Sequence, residues 1–214
     1  MRRRGCFVAG TPVHTQDGLV PIEKIRPGDF VLSRPEAKGE LSYSRVLRTL
    51  TFDEREVYRF SYVRDELPGD DNTDPPPGEA LQNLFHPYWD DHIGHLIVTA
   101  DHPFWKHEEG WIPVDYLMPG DHLELFNGWI ATIWQIERVF ETDQPGVGWS
   151  RHGRLEDPGH LIDLRNNRVV FGPEEVYCKE ERGLLTSRVF DIEVEGTNTY
   201  YVGKLGAWVH DSEK

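Results

Sequence analysis

Apolar and polar residues alternate in short runs along most of this chain, and no long segment sustains a period of 3.6 residues. Val189-Phe190-Asp191-Ile192-Glu193-Val194 has the two-residue period of a strand with one buried face. Similar patterning predicts strands at 11–15, 29–33, 43–50, 55–63, 95–99, 129–139, 168–171, 188–194 and 199–209. An all-β fold of rather irregular type follows.

One pattern occurs twice. Gly18-Leu19-Val20-Pro21-Ile22-Glu23-Lys24-Ile25-Arg26-Pro27-Gly28-Asp29 returns as Gly110-Trp111-Ile112-Pro113-Val114-Asp115-Tyr116-Leu117-Met118-Pro119-Gly120-Asp121. In each copy Pro-Gly sets a tight turn, because proline fixes φ and glycine permits a positive φ. The acidic residue after the Pro-apolar pair falls in a single helical turn, too short to stand alone. A repeated supersecondary unit predicts two halves related by a pseudo-two-fold axis. Two stretches break the pattern. An acidic, proline-rich loop, Asp70-Asp71-Asn72-Thr73-Asp74-Pro75-Pro76-Pro77, lies within an insertion at about 64–94, and a Gly-, Pro- and charge-rich insertion spans 142–187. Both read as surface decoration.

Composition narrows the class. The 214 residues include seven Trp, ten Phe and eight Tyr, ample for a core in one large domain or two small ones. Twenty-three basic against thirty-seven acidic residues leave a net charge of −14, which argues against nucleic-acid or anionic-membrane partners. No run approaches the roughly 20 apolar residues of a membrane helix. Two cysteines, Cys6 and Cys178, are too few for a disulfide framework. The spacing of His86, His92, His95, His102 and His107 fits no zinc pattern, and no Cys pair accompanies them.

The chemistry-bearing residues sit at both ends and the middle: Cys6 near the start, Thr99 and His102 midway, Asp191 in a late strand, and His210-Asp211 at the close. Three blocks carry a resemblance: Cys6-Phe7-Val8-Ala9-Gly10-Thr11-Pro12-Val13, Val98-Thr99-Ala100-Asp101-His102-Pro103-Phe104-Trp105, and Val189 to Glu195 followed by Thr199-Tyr200-Tyr201-Val202 and Trp208-Val209-His210. In this order they resemble the Hint superfamily of inteins and Hedgehog autoprocessing domains. Within it they are most similar to the pretoxin Hint domains of bacterial polymorphic toxins. The resemblance covers 6–211, leaving 1–5 and 212–214 as flanks, and implies a pseudo-symmetric β horseshoe with loop insertions.

That resemblance implies a single-turnover reaction in cis. Cys6 would attack the Gly5 carbonyl in an N–S acyl shift, His102 would protonate the leaving nitrogen, and Thr99 would orient the site. Asp191 would handle the thiol proton or steady the tetrahedral intermediate. At the far end His210 would assist cyclisation of the following side chain onto its own carbonyl, breaking the bond to Ser212. Here this chain departs from the family: Asp211 stands where inteins place Asn, which impairs that step. The implied partners are the chain's own flanks and a C-terminal toxin domain, in a monomer secreted within a larger bacterial toxin, with no cofactor or metal. A degenerate Hint scaffold and a splicing element using Ser212 stay open as alternatives.

Overall fold

The computed structural model describes residues 5–37, 39–64, 81–83, 92–151, 159–171 and 183–211. The acidic proline-rich loop, His86, Cys178 and Ser212 lie outside the described residues. The strands are β1 (Phe7–Val8), β2 (Pro12–Thr15), β3 (Gly18–Pro21), β4 (Phe30–Ser33), β5 (Ser42–Glu56), β6 (Tyr58–Arg64), β7 (Leu81–Asn83), β8 (Ile93–Val98) and β9 (Pro103–Lys106). They continue as β10 (Gly110–Pro113), β11 (His122–Glu124), β12 (Ile130–Glu141), β13 (Val147–Ser150), β14 (His160–Asp163), β15 (Arg168–Phe171), β16 (Thr186–Val194), β17 (Thr199–Val202) and β18 (Ala207–His210). The fold is all-β, as the alternation predicts. Among the described residues no helix is long and apolar enough to cross a membrane.

The repeat is physical. Each copy runs strand, hairpin, one 3₁₀ turn, strand, long strand: β2 to β5 with a turn at Ile22–Lys24, and β9 to β12 with a turn at Val114–Tyr116. After each turn comes Pro-Gly-Asp. Gly28 and Gly120 take φ of 99° and 95°, the left-handed region that a Cβ makes costly. Asp29 Oδ2 accepts the Arg26 amide at 2.8 Å, and Asp121 Oδ2 accepts the Met118 amide at 2.9 Å. The glycine amides then donate to Val46 and Ile133, both at 2.8 Å, hooking each turn onto its long strand.

The halves meet at a central seam. Antiparallel pairs run β5 to β16, β16 to β1, β1 to β8, β8 to β6 and β6 to β12. The pseudo-axis passes by the pair Phe7 and Val98, where β1 of one half meets β8 of the other. Inside lies a core of buried side chains including Phe7, Phe60, Leu96, Phe104, Ile192 and Tyr200. Each such side chain contributes about 1.5–3 kcal/mol by leaving water.

Two expectations change. The span 199–209 is a hairpin, since Gly203 and Gly206, at φ of 75° and 71°, turn the chain between β17 and β18. The stretch 142–187 is more than decoration. Its β13 pairs with the far end of β12, β14 with β13, and β15 with β14 and β7. Ile162, Val169 and Leu185 pack with Cys6, Val8, Val57, Ile97, Val139 and Val189 in a second core cluster. Its abundant glycine and charge concealed that apolar face.

Candidate active site

Strand register brings the scattered residues together. In β1 against β16, Phe7 lies opposite Phe190 and Val8 opposite Val189, so the same register carried one residue back sets Cys6 opposite Asp191. On its other side Cys6 faces Thr99. The Cys6 amide donates to Thr99 Oγ1 at 2.9 Å, and the Thr99 amide donates to the Cys6 carbonyl at 3.0 Å. Cys6 is a fully buried thiol outside any disulfide. Thr99 and Asp191 are each 1% exposed.

His102 closes over the preceding peptide. A Cβ on Gly5 would lie 2.6 Å from His102 Nδ1, closer than real atoms approach, so only glycine leaves room for the ring. The ring also lies 4.2 Å from the Phe7 ring, centroid to centroid. It is wholly buried, and burial pushes its pKa down to about 3; the Gly5 backbone and Asp101 pull upward, His210 downward. Neither ring nitrogen completes a well-aligned hydrogen bond among the described residues, although the Gly5 backbone lies near enough to pull the pKa upward. A neutral imidazole with spare hydrogen-bonding capacity therefore stands beside the Gly5–Cys6 peptide.

The C-terminal pair arrives by the same logic. Val209 lies opposite Phe104, and that register carried two residues on sets Asp211 opposite His102. Asp211 is 1% exposed, its amide donates to the Asn198 carbonyl at 2.7 Å, and its Oδ2 accepts the Val194 amide at 2.8 Å. His210 Nδ1 contacts the Asp211 carbonyl oxygen, the acceptor of the Asp211–Ser212 peptide. Its Nε2 lies 2.9 Å from Glu36 Oε1, and Trp111 packs edge-on to its ring at 5.1 Å. Both ring nitrogens thus face oxygen acceptors.

Gly5, Cys6, Thr99, His102, Asp191, His210 and Asp211 therefore share one neighbourhood, drawn from four separate parts of the sequence. The remaining described histidines serve elsewhere. His92 contacts Arg64, and His95 pairs with Ser61 at 2.8 Å. His107 lies beside Glu108 and Glu124. Sequence reasoning missed two residues of the neighbourhood. Glu36 holds His210 from a loop with no local signal. Tyr200 donates its hydroxyl to Asp191 Oδ1 at 2.8 Å, yet in sequence it is one aromatic in an apolar run.

No family model matches the sequence, and no curated protein matches it. Solved structures do. A bacterial intein-like domain from Clostridium thermocellum aligns with a TM-score of 0.58 at 21% identity, over 96% of this chain and 98% of that one. A DnaB intein from Synechocystis aligns with a TM-score of 0.55 at 14% identity, over 98% and 99%. The gp41-1 intein gives 0.52 at 16%, over 98% and 100%. At these identities the likeness is one of architecture, and it extends over essentially the whole chain. The protein has the β fold shared by inteins and intein-like Hint domains.

Proposed function

We propose that this chain is a self-processing domain that breaks its own backbone at Gly5–Cys6 and at Asp211–Ser212. One observation carries the reading: a buried thiol whose own preceding peptide is held between Thr99, on the amide N–H, and His102, over Gly5.

In the first step the Cys6 thiol gives its proton to the site, Asp191 accepting it, and sulfur adds to the Gly5 carbonyl carbon. The C–N bond then breaks, and the proton that the thiol gave to Asp191 passes on through His102 to the nitrogen. The result is a thioester and a free amine, with no net proton consumed. An imidazole whose pKa sits near 3 is neutral at rest, and once protonated it is a strong acid toward a poor leaving group. Thr99 keeps the N–H fixed as the nitrogen turns pyramidal. Help of this kind is worth about 10²–10⁴ in rate.

In the second step an Asp211 oxygen attacks its own carbonyl carbon while His210 donates to the carbonyl oxygen. The nitrogen of Ser212 leaves as the amine, taking up the proton that His210 gives up, and a cyclic anhydride forms in place of the succinimide an asparagine would give. Asp211 Oδ2 already accepts the Val194 amide, which withdraws charge from the nucleophile. This step is accordingly the slower one. The finer reading, that the segment released is a toxin effector within a larger secreted bacterial protein, rests on the three sequence blocks that resemble pretoxin Hint domains.

The test is a fusion with a reporter at each end, followed by fragment mass with and without dithiothreitol. Thiol-dependent release of the N-terminal reporter, lost in Cys6→Ala, supports the acyl shift. C-terminal release lost in His210→Ala and faster in Asp211→Asn supports the cyclisation. Ligated reporters would instead mean splicing, and an intact fusion under every condition would leave the domain as a scaffold.

A further inference from the structure

We propose that Tyr200 is a positioning residue for the first step, its hydroxyl fixing the Asp191 carboxylate opposite the Cys6 thiol. This inference rests on the self-processing reading and adds a residue to it.

The geometry is specific. Tyr200 stands on β17, its ring fully buried in the core. Its hydroxyl is nevertheless engaged, 2.8 Å from Asp191 Oδ1, and the same oxygen accepts the Ile192 amide at 2.9 Å. Two donors on one oxygen fix the rotation of the carboxylate and favour its ionised form. The ring stands edge-on to His102, centroids 6.5 Å apart at 80°. The phenol thus borders the imidazole and the carboxylate, and it feels the charges of Cys6 and Asp211.

The phenol cannot exchange roles with its acceptor. Burial, and then the negative charge of Asp191, hold its pKa well above the ordinary tyrosine value, with Cys6 and Asp211 adding to the rise. It stays protonated through the working range and acts as a permanent donor. Tyr62 is the contrast: it is equally buried, yet its hydroxyl meets no hydrogen-bond partner among the described residues. The hydroxyl of Tyr62 lies where a Cβ on Gly203 would meet it at 2.7 Å, a packing role only. A tyrosine kept for volume loses its partner in this core, whereas Tyr200 has found one at the site.

The experiment uses the full chain with an N-terminal reporter. Tyr200→Phe should slow dithiothreitol-dependent cleavage by roughly 10- to 100-fold, the loss expected when a charge loses one hydrogen bond. It should also shift the pH midpoint of cleavage upward by about one unit. In an Asp191→Asn background the same change should have less than about a threefold effect, because the residue it acts through is gone. C-terminal release, followed in an Asp211→Asn background, should change by less than about threefold. Unaltered cleavage in Tyr200→Phe, or two effects that multiply, overturns the inference. A second readout does not need cleavage. In Cys6→Ala protein, which cannot form the thioester, the Asp191 carboxyl carbon is titrated by NMR. Its midpoint should rise by about one pH unit when Tyr200 becomes Phe. An unmoved midpoint overturns the role of Tyr200 whether or not the chain cuts itself, while absence of cleavage in the parent chain counts against the proposed function alone.

Discussion

The two halves of this protein are built alike and charged with different tasks. In the first, the Thr11 amide donates to the Val8 carbonyl at 3.3 Å, and the Thr11 carbonyl accepts the Ile22 amide at 2.9 Å. In the second, His102 donates to Thr99 at 3.3 Å and accepts from Val114 at 3.1 Å. Val8 and Thr11 therefore occupy the places that Thr99 and His102 hold across the axis. Val8 packs in the second core cluster, and the Thr11 hydroxyl donates back to the Val8 carbonyl at 2.8 Å. One frame spends these positions on packing, and the other aims them at Gly5 and Cys6. The proposed function is thus a substitution of side chains on a backbone that both halves share.

Exchanging side chains between the halves should expose this. His102→Thr, which installs the residue of the first half, should lower thiol-dependent N-terminal cleavage by about 10²–10⁴. A chain still cleaving within tenfold of the parent would break the comparison. Thr99→Val installs the equivalent of Val8. It keeps the shape but strands the buried Cys6 N–H, a loss of about 1–3 kcal/mol and so roughly 10- to 100-fold in the same assay if the loss falls on the transition state. The reverse change, Val8→Thr, should leave cleavage unaltered within threefold or so and lower only the melting temperature, by burying a hydroxyl among apolar groups. A cleavage defect in Val8→Thr as large as that in Thr99→Val would show that the halves are not divided as described.

Acid should weaken the second half through its two most deeply buried imidazoles. His102 and His95 are both held near pKa 3, chiefly by burial, while unfolded histidines titrate near 6.5. Between those values the unfolded chain binds protons that the folded one does not. Their stabilisation is therefore complete above pH 6.5 and falls as pH falls toward 3. Each ring should cost about 2–3 kcal/mol between pH 6.5 and 4.5. Chemical denaturation of the parent and of His102→Thr at the two pH values isolates the His102 share, and the variant should lose about 2–3 kcal/mol less than the parent between them. An unchanged pH slope in that variant would contradict the buried, neutral imidazole.

Much of this plan is legible in the sequence because it is local. Alternation marks the strands, and Pro-Gly-Asp marks both turns and thereby the symmetry. The cluster itself depends on registers that join residues ninety or more positions apart, such as Phe7 with Phe190. No local pattern encodes those registers, so the pairing of Cys6 with Asp191 came from resemblance alone. Tyr200 was hidden for a different reason. A core tyrosine and a functional one have the same neighbours in sequence and differ only in what the hydroxyl meets. The strands β13 and β14 were hidden by composition, since the short runs Val147-Gly148-Trp149 and His160-Leu161-Ile162 are bounded by glycine, proline and charge.

The smallest effect tests the symmetry most directly, because it should be equal on both sides. Gly28 and Gly120 hold φ of 99° and 95° in matching turns. A Cβ on Gly28 would meet nothing closer than Arg45 Nη2 at 3.9 Å, and one on Gly120 would meet nothing within 4 Å. Alanine at either site therefore suffers only backbone strain, about 1–2 kcal/mol, without a clash. Gly28→Ala and Gly120→Ala should lower stability by amounts matching within about 0.5 kcal/mol, and the double variant by their sum, since the turns share no partner. Urea titration reads all three. Unequal losses, or a double variant that departs from the sum, would mean that one turn leans on its surroundings and that the repeat is a resemblance of chain path rather than of energetics.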